Sequence, residues 1–124
     1  MSKSLGNIIS PTDLRKEYAT DAIRQWAALS GAMAKDRPFS YEDIKYAKSF
    51  INKFWNAARF IESALSDYGP KPSTSFPLIL VDDWMFNRTN QVVQEFTEHM
   101  EKFEFHHAMS KFQKFFWHEV CDNY

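Results

Sequence analysis

The sequence contains few of the residues that interrupt regular secondary structure. Its 124 residues include only 3 glycines and 5 prolines. An all-β fold needs a turn about every 8 to 12 residues, and a doubly wound nucleotide-binding fold depends on glycine-rich turns. The composition provides too few turn residues for either architecture. It therefore predicts a helical protein.

Cysteine, long apolar runs and net charge are also scarce. The single cysteine, Cys121, excludes an internal disulfide, and no signal peptide or apolar run of membrane-spanning length is recognisable. These features predict a cytoplasmic protein with no membrane partner. The net charge of −1 argues against a general polyanion binder. Because residues 1–79 carry +3 and residues 80–124 carry −4, any nucleic-acid contact is predicted in the first part.

Hydrophobic residues are abundant enough to fill the core of one domain. They make up 44% of the chain, and 12 Phe, 5 Tyr and 4 Trp are among them. Their helical spacing predicts an all-α fold. We expect an antiparallel bundle of about three long helices, preceded by two shorter helices and a flexible N-terminal loop.

Capping residues and prolines place the helix ends. Ser10 and Pro11 begin the first short helix, and the second is predicted to continue to about Met33. Ser40 and Asp43 have the spacing of a capping box at the start of the first long helix. The long helices are predicted from about Tyr41 to Asp67, from Leu80 to Phe103, and from Glu104 or Phe105 to Tyr124, with a proline-rich loop at 68–77.

The first long helix has two chemically different faces when projected at about 100° per residue. The apolar face is predicted to form the core, and it consists of Ile44, Ala47, Phe50, Ile51, Phe54, Ala58, Ile61 and Leu65. The other face has no acid between Ile44 and Ile61, and it consists of Lys45, Lys48, Asn52, Asn56 and Arg59. Trp55 lies at the border between them.

Two interpretations of the polar face stay open. It is either an ordinary solvated helix surface or a ridge that follows the phosphates of a nucleic acid. Trp55 is likewise either a residue at the edge of the core or a platform for base stacking.

The last two helices each carry a charge within an apolar face. Arg88 projects among apolar residues of one helix, and Glu119 does so on the other. Since an unpaired buried charge costs several kcal/mol, the two are predicted to form a structural ion pair that fixes the helix register, with Asp122 as an alternative acceptor.

Trp117, Cys121 and Tyr124 project to another side of the last helix. They either pack against the first helices of this chain or face a partner domain.

Metal binding and nucleophilic catalysis find little support in the sequence. The four histidines, at positions 99, 106, 107 and 118, lack the tight spacing of metal ligands, so no metal is predicted. Cys121 has no evident base partner. The N-terminal residues are a stronger candidate for binding a ligand. Ser2, Lys3 and Ser4 combine a cation with hydroxyl groups that can surround phosphate oxygens.

Motifs spread over nearly the whole chain resemble one family. The first four residues, Met-Ser-Lys-Ser, look like the end of the Lys-Met-Ser-Lys-Ser signature of class I aminoacyl-tRNA synthetases, and Leu5-Gly6-Asn7 continues it. The segment at 52–60, Asn-Lys-Phe-Trp-Asn-Ala-Ala-Arg-Phe, resembles a segment of the valyl-tRNA synthetases in particular. The C-terminal Trp-His-Glu-Val-Cys-Asp-Asn-Tyr at 117–124 is similar to a later helix of the same family.

The resemblance implies that two parts of the chain have different roles. Residues 1–37 would form the signature loop and connecting helices, in which Ser2, Lys3 and Ser4 face ATP. Residues 38–124 would form the helical bundle that binds the anticodon stem-loop of tRNA-Val, which favours the polar face and Trp55 as RNA contacts. The parent enzyme would ligate valine to tRNA-Val with ATP, and its catalytic domain would be a partner of this bundle. No DNA partner is implied.

The chain departs from the family pattern in ways that affect its expected activity. The leading lysine of the signature, the His-Ile-Gly-His signature, the nucleotide-binding sheet and the editing domain have no counterpart in the sequence. We therefore expect a piece of a larger enzyme that binds no cofactor and is catalytically inactive alone. The alternatives are an enzyme with partial ATP chemistry, and a structural helical protein-interaction domain with no RNA role.

Overall fold

The computed structural model describes residues 9–31, 39–69 and 79–124. Within these ranges the chain forms helices and no strand, which confirms the predicted all-α fold. The helices are α1 (Pro11–Glu17), α2 (Thr20–Leu29), α3 (Tyr41–Ala64), α4 (Leu80–Glu101) and α5 (Phe105–Lys114). A π-helical segment, Phe115–Cys121, follows α5 directly and is called the π segment below.

The caps of α1 and α3 are those predicted. The hydroxyl oxygen of Ser10 accepts a hydrogen bond from the Thr12 backbone N–H at 3.2 Å. The hydroxyl oxygen of Ser40 accepts one from the Asp43 backbone N–H, also at 3.2 Å. Each bond satisfies a donor that has no partner inside its helix, so the two serines define where the helices begin.

The second helix ends earlier than predicted. It stops at Leu29, and the Ser30 hydroxyl donates a hydrogen bond to the Ala27 carbonyl at 2.7 Å. Gly31 follows with φ of 123°, a value that glycine adopts without steric cost. The predicted end at Met33 lies outside the described residues, as do the N-terminal loop and most of the proline-rich loop.

A turn without glycine separates α4 from α5. Phe103 has φ of 58°, in the left-handed region. Its N–H donates to the Met100 carbonyl at 3.1 Å, and the Glu104 N–H donates to the His99 carbonyl at 2.8 Å. These two bonds form a Schellman motif, which normally has glycine at the left-handed position.

The last helix extends nearly to its predicted end, but its second half is the π segment rather than α-helix. The wider π turn lets consecutive residues face different helices. Phe115 joins the α4 core, whereas the rings of Phe116 and Trp117 contact Phe50 of α3. A sequence period of about 3.6 residues cannot anticipate this change of helix type.

The core consists of two clusters. One cluster joins α1, α2 and α3 through Leu14, Ala22, Ile44 and Ala47. The other joins α4 to the π segment through Met85, Val92 and Phe115. Because α1 and α2 share a core with α3, the described part of the connecting segment packs on the bundle. The predicted boundary near residue 38 stays a prediction.

The apolar face of α3 is only partly buried, contrary to prediction. Ile44, Ala47 and Phe50 are buried, but Phe54, Ile61 and Leu65 are between 44% and 56% exposed. Ala58 is exposed as well. Helix length explains the difference: the 10 residues of α2 span about 15 Å, while the 24 residues of α3 span about 36 Å. Among the described elements, α2 therefore covers only the first part of α3.

Candidate nucleic-acid interface

The predicted polar face of α3 is a solvent-accessible surface. All five of its residues are exposed, and they are Lys45, Lys48, Asn52, Asn56 and Arg59. They occupy successive turns because the spacing of three or four residues keeps side chains on one side of a helix. The structure thus brings together the residues that the sequence grouped.

The cations of the polar face differ in their pairing. Lys45 donates a hydrogen bond to Glu42 at 2.9 Å, and this bond raises the pKa of Lys45 above its ordinary value. Lys48 and Arg59 form no ion pair within the part of the chain that the structure describes. These two are 11 residues apart, which places them about 16 Å from each other along the helix axis. They are the cations available to an anionic ligand.

Two exposed aromatic residues border the polar face. Trp55 is 64% exposed, so it does not lie at the edge of the core. Phe60 is 75% exposed and lies one turn after Asn56. Sequence analysis missed Phe60 as a candidate because an aromatic at helical spacing usually enters the core. Both rings are accessible for stacking by a planar ligand.

Lys53 lies next to Phe60 on the helix surface, just outside the polar face, and makes a different set of contacts. The Lys53 ammonium lies 4.3 Å from the centroid of the Trp117 ring and 3.3 Å from the Asp122 carboxylate. A hydrogen bond from His118, and then the Lys53 ammonium, lower the pKa of Asp122. Lys53 is thus engaged within the protein, which explains why it is not part of the accessible cationic surface.

Trp117 packs against its own chain. Its ring stacks on Tyr46 and on Phe50, with centroid distances of 6.1 and 6.2 Å. Cys121 is half-buried, and the Tyr124 hydroxyl donates a hydrogen bond to Asp82 at 2.8 Å.

Asp122, the alternative acceptor predicted for Arg88, pairs with Lys53 and His118 instead.

Arg88 and Glu119 meet in a bidentate ion pair. The Nε atom of Arg88 lies 2.6 Å from Oε2 of Glu119, and Nη2 lies 2.9 Å from Oε1. The two side chains are 30% and 27% exposed, so the pair is half-buried rather than enclosed. This hydrogen-bonded pairing lowers the pKa of Glu119 below its ordinary value. The pair joins α4 to the π segment.

Three of the histidines hydrogen-bond to different partners, and the His107 ring contacts the rings of His99 and His106. His99 pairs with Glu104 at 2.7 Å, His106 with the Leu29 carbonyl at 2.8 Å, and His118 with Asp122 at 3.0 Å. Among the described residues, no group of three or more His, Cys, Asp or Glu side chains could hold a metal ion. No helix in the described ranges is long and apolar enough to cross a membrane.

The predicted ATP-facing residues, Ser2, Lys3 and Ser4, lie outside the described residues. The structure provides no test of their role.

Comparison with known proteins identifies relatives over the whole chain. Residues 82–124 match the family model described as the anticodon-binding domain of tRNA ligase. The chain is 35% identical to a valine–tRNA ligase of Methanosarcina mazei over 127 aligned residues, and 40% identical to those of Archaeoglobus fulgidus and Methanothermobacter thermautotrophicus over 124. Each alignment covers 100% of this chain but only 14% or 15% of the relative.

Proposed function

The chain belongs to the valine–tRNA ligase family, and from this premise we propose that it is a tRNA-binding module that engages an anticodon stem-loop. The similarity along the entire chain, with the anticodon-binding family model at its C-terminal part, carries the proposal. The accessible cations and rings of α3 supply a surface with suitable chemistry. RNA loops are bound by cations at phosphates and by planar groups that stack on unpaired bases.

Each residue of the polar face has a specific part in this proposal. Lys48 and Arg59, which have no ion pair in the described ranges, contact phosphates. Asn52 and Asn56 present amides that hydrogen-bond to base edges, and Trp55 and Phe60 provide stacking surfaces at the two borders. Lys45 contributes less because Glu42 already neutralises it. The RNA is the anticodon stem-loop of tRNA-Val, since the relatives are named valine–tRNA ligases.

Catalysis belongs to the larger protein in this proposal. In the cytoplasm, the complete enzyme uses ATP to join valine to tRNA-Val, with Ser2, Lys3 and Ser4 facing the nucleotide and the catalytic domain adjoining this bundle. The chain spans only 14% to 15% of the length of the relatives. We therefore expect the chain alone to show no ATP–pyrophosphate exchange. Such exchange would favour an enzyme with partial ATP chemistry instead.

The proposal is tested by titrating the chain with a fluorescent RNA hairpin carrying the tRNA-Val anticodon. The double variant Lys48→Ala/Arg59→Ala should bind more weakly, and its plot of log K against log salt should be shallower by about 1 to 2. The slope becomes shallower because the variant neutralises fewer phosphates, so fewer counterions leave the RNA when it binds.

The matched control is Arg15→Ala/Lys114→Ala, which removes the same charge from exposed positions on α1 and α5. This control should retain most of the affinity. Equal losses in the two double variants would mean that net charge, rather than the polar face, governs binding. If the chain does not bind the hairpin at all, the structural protein-interaction domain becomes the better interpretation.

A further inference from the structure

Apolar side chains recur along one exposed stripe of α4, called the α4 stripe below. Phe86, Val93 and Met100 follow each other at intervals of seven residues, and they are 60%, 57% and 38% exposed. Thr89 and Phe96 lie between them on the same side of the helix. Alternating steps of three and four residues form the seam along which two helices pack. From Phe86 to Met100 the stripe extends about 21 Å along the helix axis, or about four turns.

A groove beside the α4 stripe makes this surface wide enough for a helix. Val93 and Phe96 of α4 line one side of the groove, and Met109 and Phe112 of α5 line the other. The groove has a volume of about 300 Å³, and its described lining is apolar except for Thr89. A groove between two adjacent helices accepts the side chains of a third helix. Because Val93 is more than half exposed, the described helices leave this surface uncovered.

The free charges at the edge of the α4 stripe are negative. Asp83 lies one turn before Phe86, and Glu101 lies 18 residues after Asp83, which is about five full turns and places both acids on the same edge. Both acids are exposed and form no ion pair within the described residues. The basic residues of α4, Arg88 and His99, each pair with a glutamate. This edge therefore repels RNA phosphates and attracts a cationic partner.

We propose that the α4 stripe and its groove bind an amphipathic helix from a part of the complete enzyme outside this chain. The apolar face of that helix enters the groove, and its Lys or Arg residues lie against Asp83 and Glu101. Because the chain covers only 14% or 15% of the relatives, most of such an enzyme lies outside it. The inference rests on the proposed place of the chain in a larger enzyme, and it does not depend on RNA binding.

A second copy of the chain fits this surface less well. Antiparallel pairing of two α4 stripes about a two-fold axis would place the acids of both copies on one edge of the interface, where like charges repel. A helix with a basic edge meets the same acids with opposite charge. Charge complementarity therefore favours a different helix as the occupant.

Photochemical cross-linking in the complete enzyme tests the identity of the occupant. A benzophenone amino acid in place of Val93 should form an intramolecular cross-link to one segment outside this chain. Mass spectrometry should show that this segment has apolar residues at helical spacing and Lys or Arg beside them. The same group in place of Gln91, which is exposed on the opposite side of α4, is the control and should not reach that segment. A cross-link to a second copy or to bound tRNA, or no cross-link at all, would overturn the proposal.

Charge reversal tests the acidic edge separately. Asp83→Lys/Glu101→Lys should lower the yield of the Val93 cross-link by about fivefold or more, because like charges then meet at the edge. Asp83→Asn/Glu101→Gln removes the charges without reversing them and should give an intermediate yield. Glu17→Lys/Glu62→Lys makes the same charge change at exposed positions on α1 and α3, and it should leave the yield nearly unchanged. Equal yields in the two lysine variants would contradict a role for the acidic edge.

The outcome of these experiments is separate from that of the RNA titration. The α4 stripe shares no residue with the polar face of α3. A hairpin that fails to bind would therefore leave the Val93 cross-link in place, and loss of the cross-link in the Asp83→Lys/Glu101→Lys enzyme would leave the salt slope of hairpin binding unchanged.

Discussion

Phe103 is the residue at which backbone conformation and amino-acid type conflict most clearly. A left-handed φ brings Cβ close to the following carbonyl and costs about 1–2 kcal/mol for an L-residue. The Phe103 ring partly offsets this cost by an edge-to-face contact with Phe105 at 6.1 Å. The ring is nevertheless 66% exposed, so its packing contributes little.

Replacing Phe103 therefore separates backbone strain from ring packing. Phe103→Ala keeps Cβ and removes the ring, whereas Phe103→Gly removes both. We expect the glycine variant to be more stable than the alanine variant by about 1 kcal/mol in urea unfolding. A glycine variant less stable than the alanine variant would show that the left-handed conformation costs nothing at this position.

The ion pair of Arg88 and Glu119 makes a pH-dependent contribution to stability. Its hydrogen bonds hold the pKa of Glu119 below the ordinary value of 4.5. A carboxyl group with a lowered pKa stabilises the folded state above its unfolded pKa, and the contribution disappears as pH falls through the folded pKa. The contribution is thus complete near neutral pH and decreases below about pH 4.5.

Arg88→Met should remove this contribution and leave Glu119 without its partner. We expect a loss of about 1–3 kcal/mol at pH 7 and a shallower decline of stability below about pH 4.5 than in the wild type. In Arg88→Met/Glu119→Met, part of the loss should be recovered, since neither charge is then unpaired. An unchanged or higher midpoint in the single variant, with one well-defined fold, would argue against a register role.

At the residue scale, chemistry made several contacts predictable. Arg88 and Glu119 met because a charge within an apolar face needs a partner, and Ser10 and Ser40 capped helices because their hydroxyls suit the orphan N–H groups. Phe103 was not predictable, since no glycine or proline marks the turn. The exposure of Phe60 was equally hidden, because helical spacing does not reveal whether a facing helix exists.

At the scale of elements, α3 has two parts with different surroundings. Its first part enters the core with α2, and its second part carries exposed apolar and aromatic residues next to the polar face. Periodicity predicted the helix and both faces of α3. It could not predict how far the neighbouring helix extends, and so it assigned Ile61 and Leu65 to a core that α2 is too short to form.

The two rings beside the polar face should contribute to RNA affinity without contributing to salt dependence. Stacking of a base on an aromatic side chain is worth about 1–3 kcal/mol and releases no counterions. Trp55→Ala and Phe60→Ala should each weaken hairpin binding by this amount with an unchanged salt slope, measured by fluorescence titration. Phe86→Ala is the matched control, because Phe86 is 60% exposed on α4. An equal loss in the control would exclude a specific role for the α3 rings.

At the scale of the whole molecule, aromatic contacts connect the two core clusters. Phe50 is only 3% exposed, and its ring contacts Phe54 on the same helix, Phe112 of α5, and Phe116 and Trp117 of the π segment at centroid distances of 5.8–6.4 Å. Composition predicted one aromatic-rich domain. The separation into two clusters depends on the short length of α1 and α2 and on the change from α-helix to π-helix after Lys114. Composition specifies neither.

Phe50 should therefore determine whether the two clusters unfold together. Phe50→Ala removes a buried ring, with an expected cost of about 3–5 kcal/mol in urea unfolding. Because the buried Phe50 ring joins α3 to both α5 and the π segment, α2 amides should lose hydrogen-exchange protection at lower urea than α4 amides in this variant. The two sets should coincide in the wild type. Phe86→Ala should change stability by less than about 0.5 kcal/mol and keep the sets together. Coincident loss of protection in Phe50→Ala would mean that α2 and α4 are coupled by contacts other than this ring.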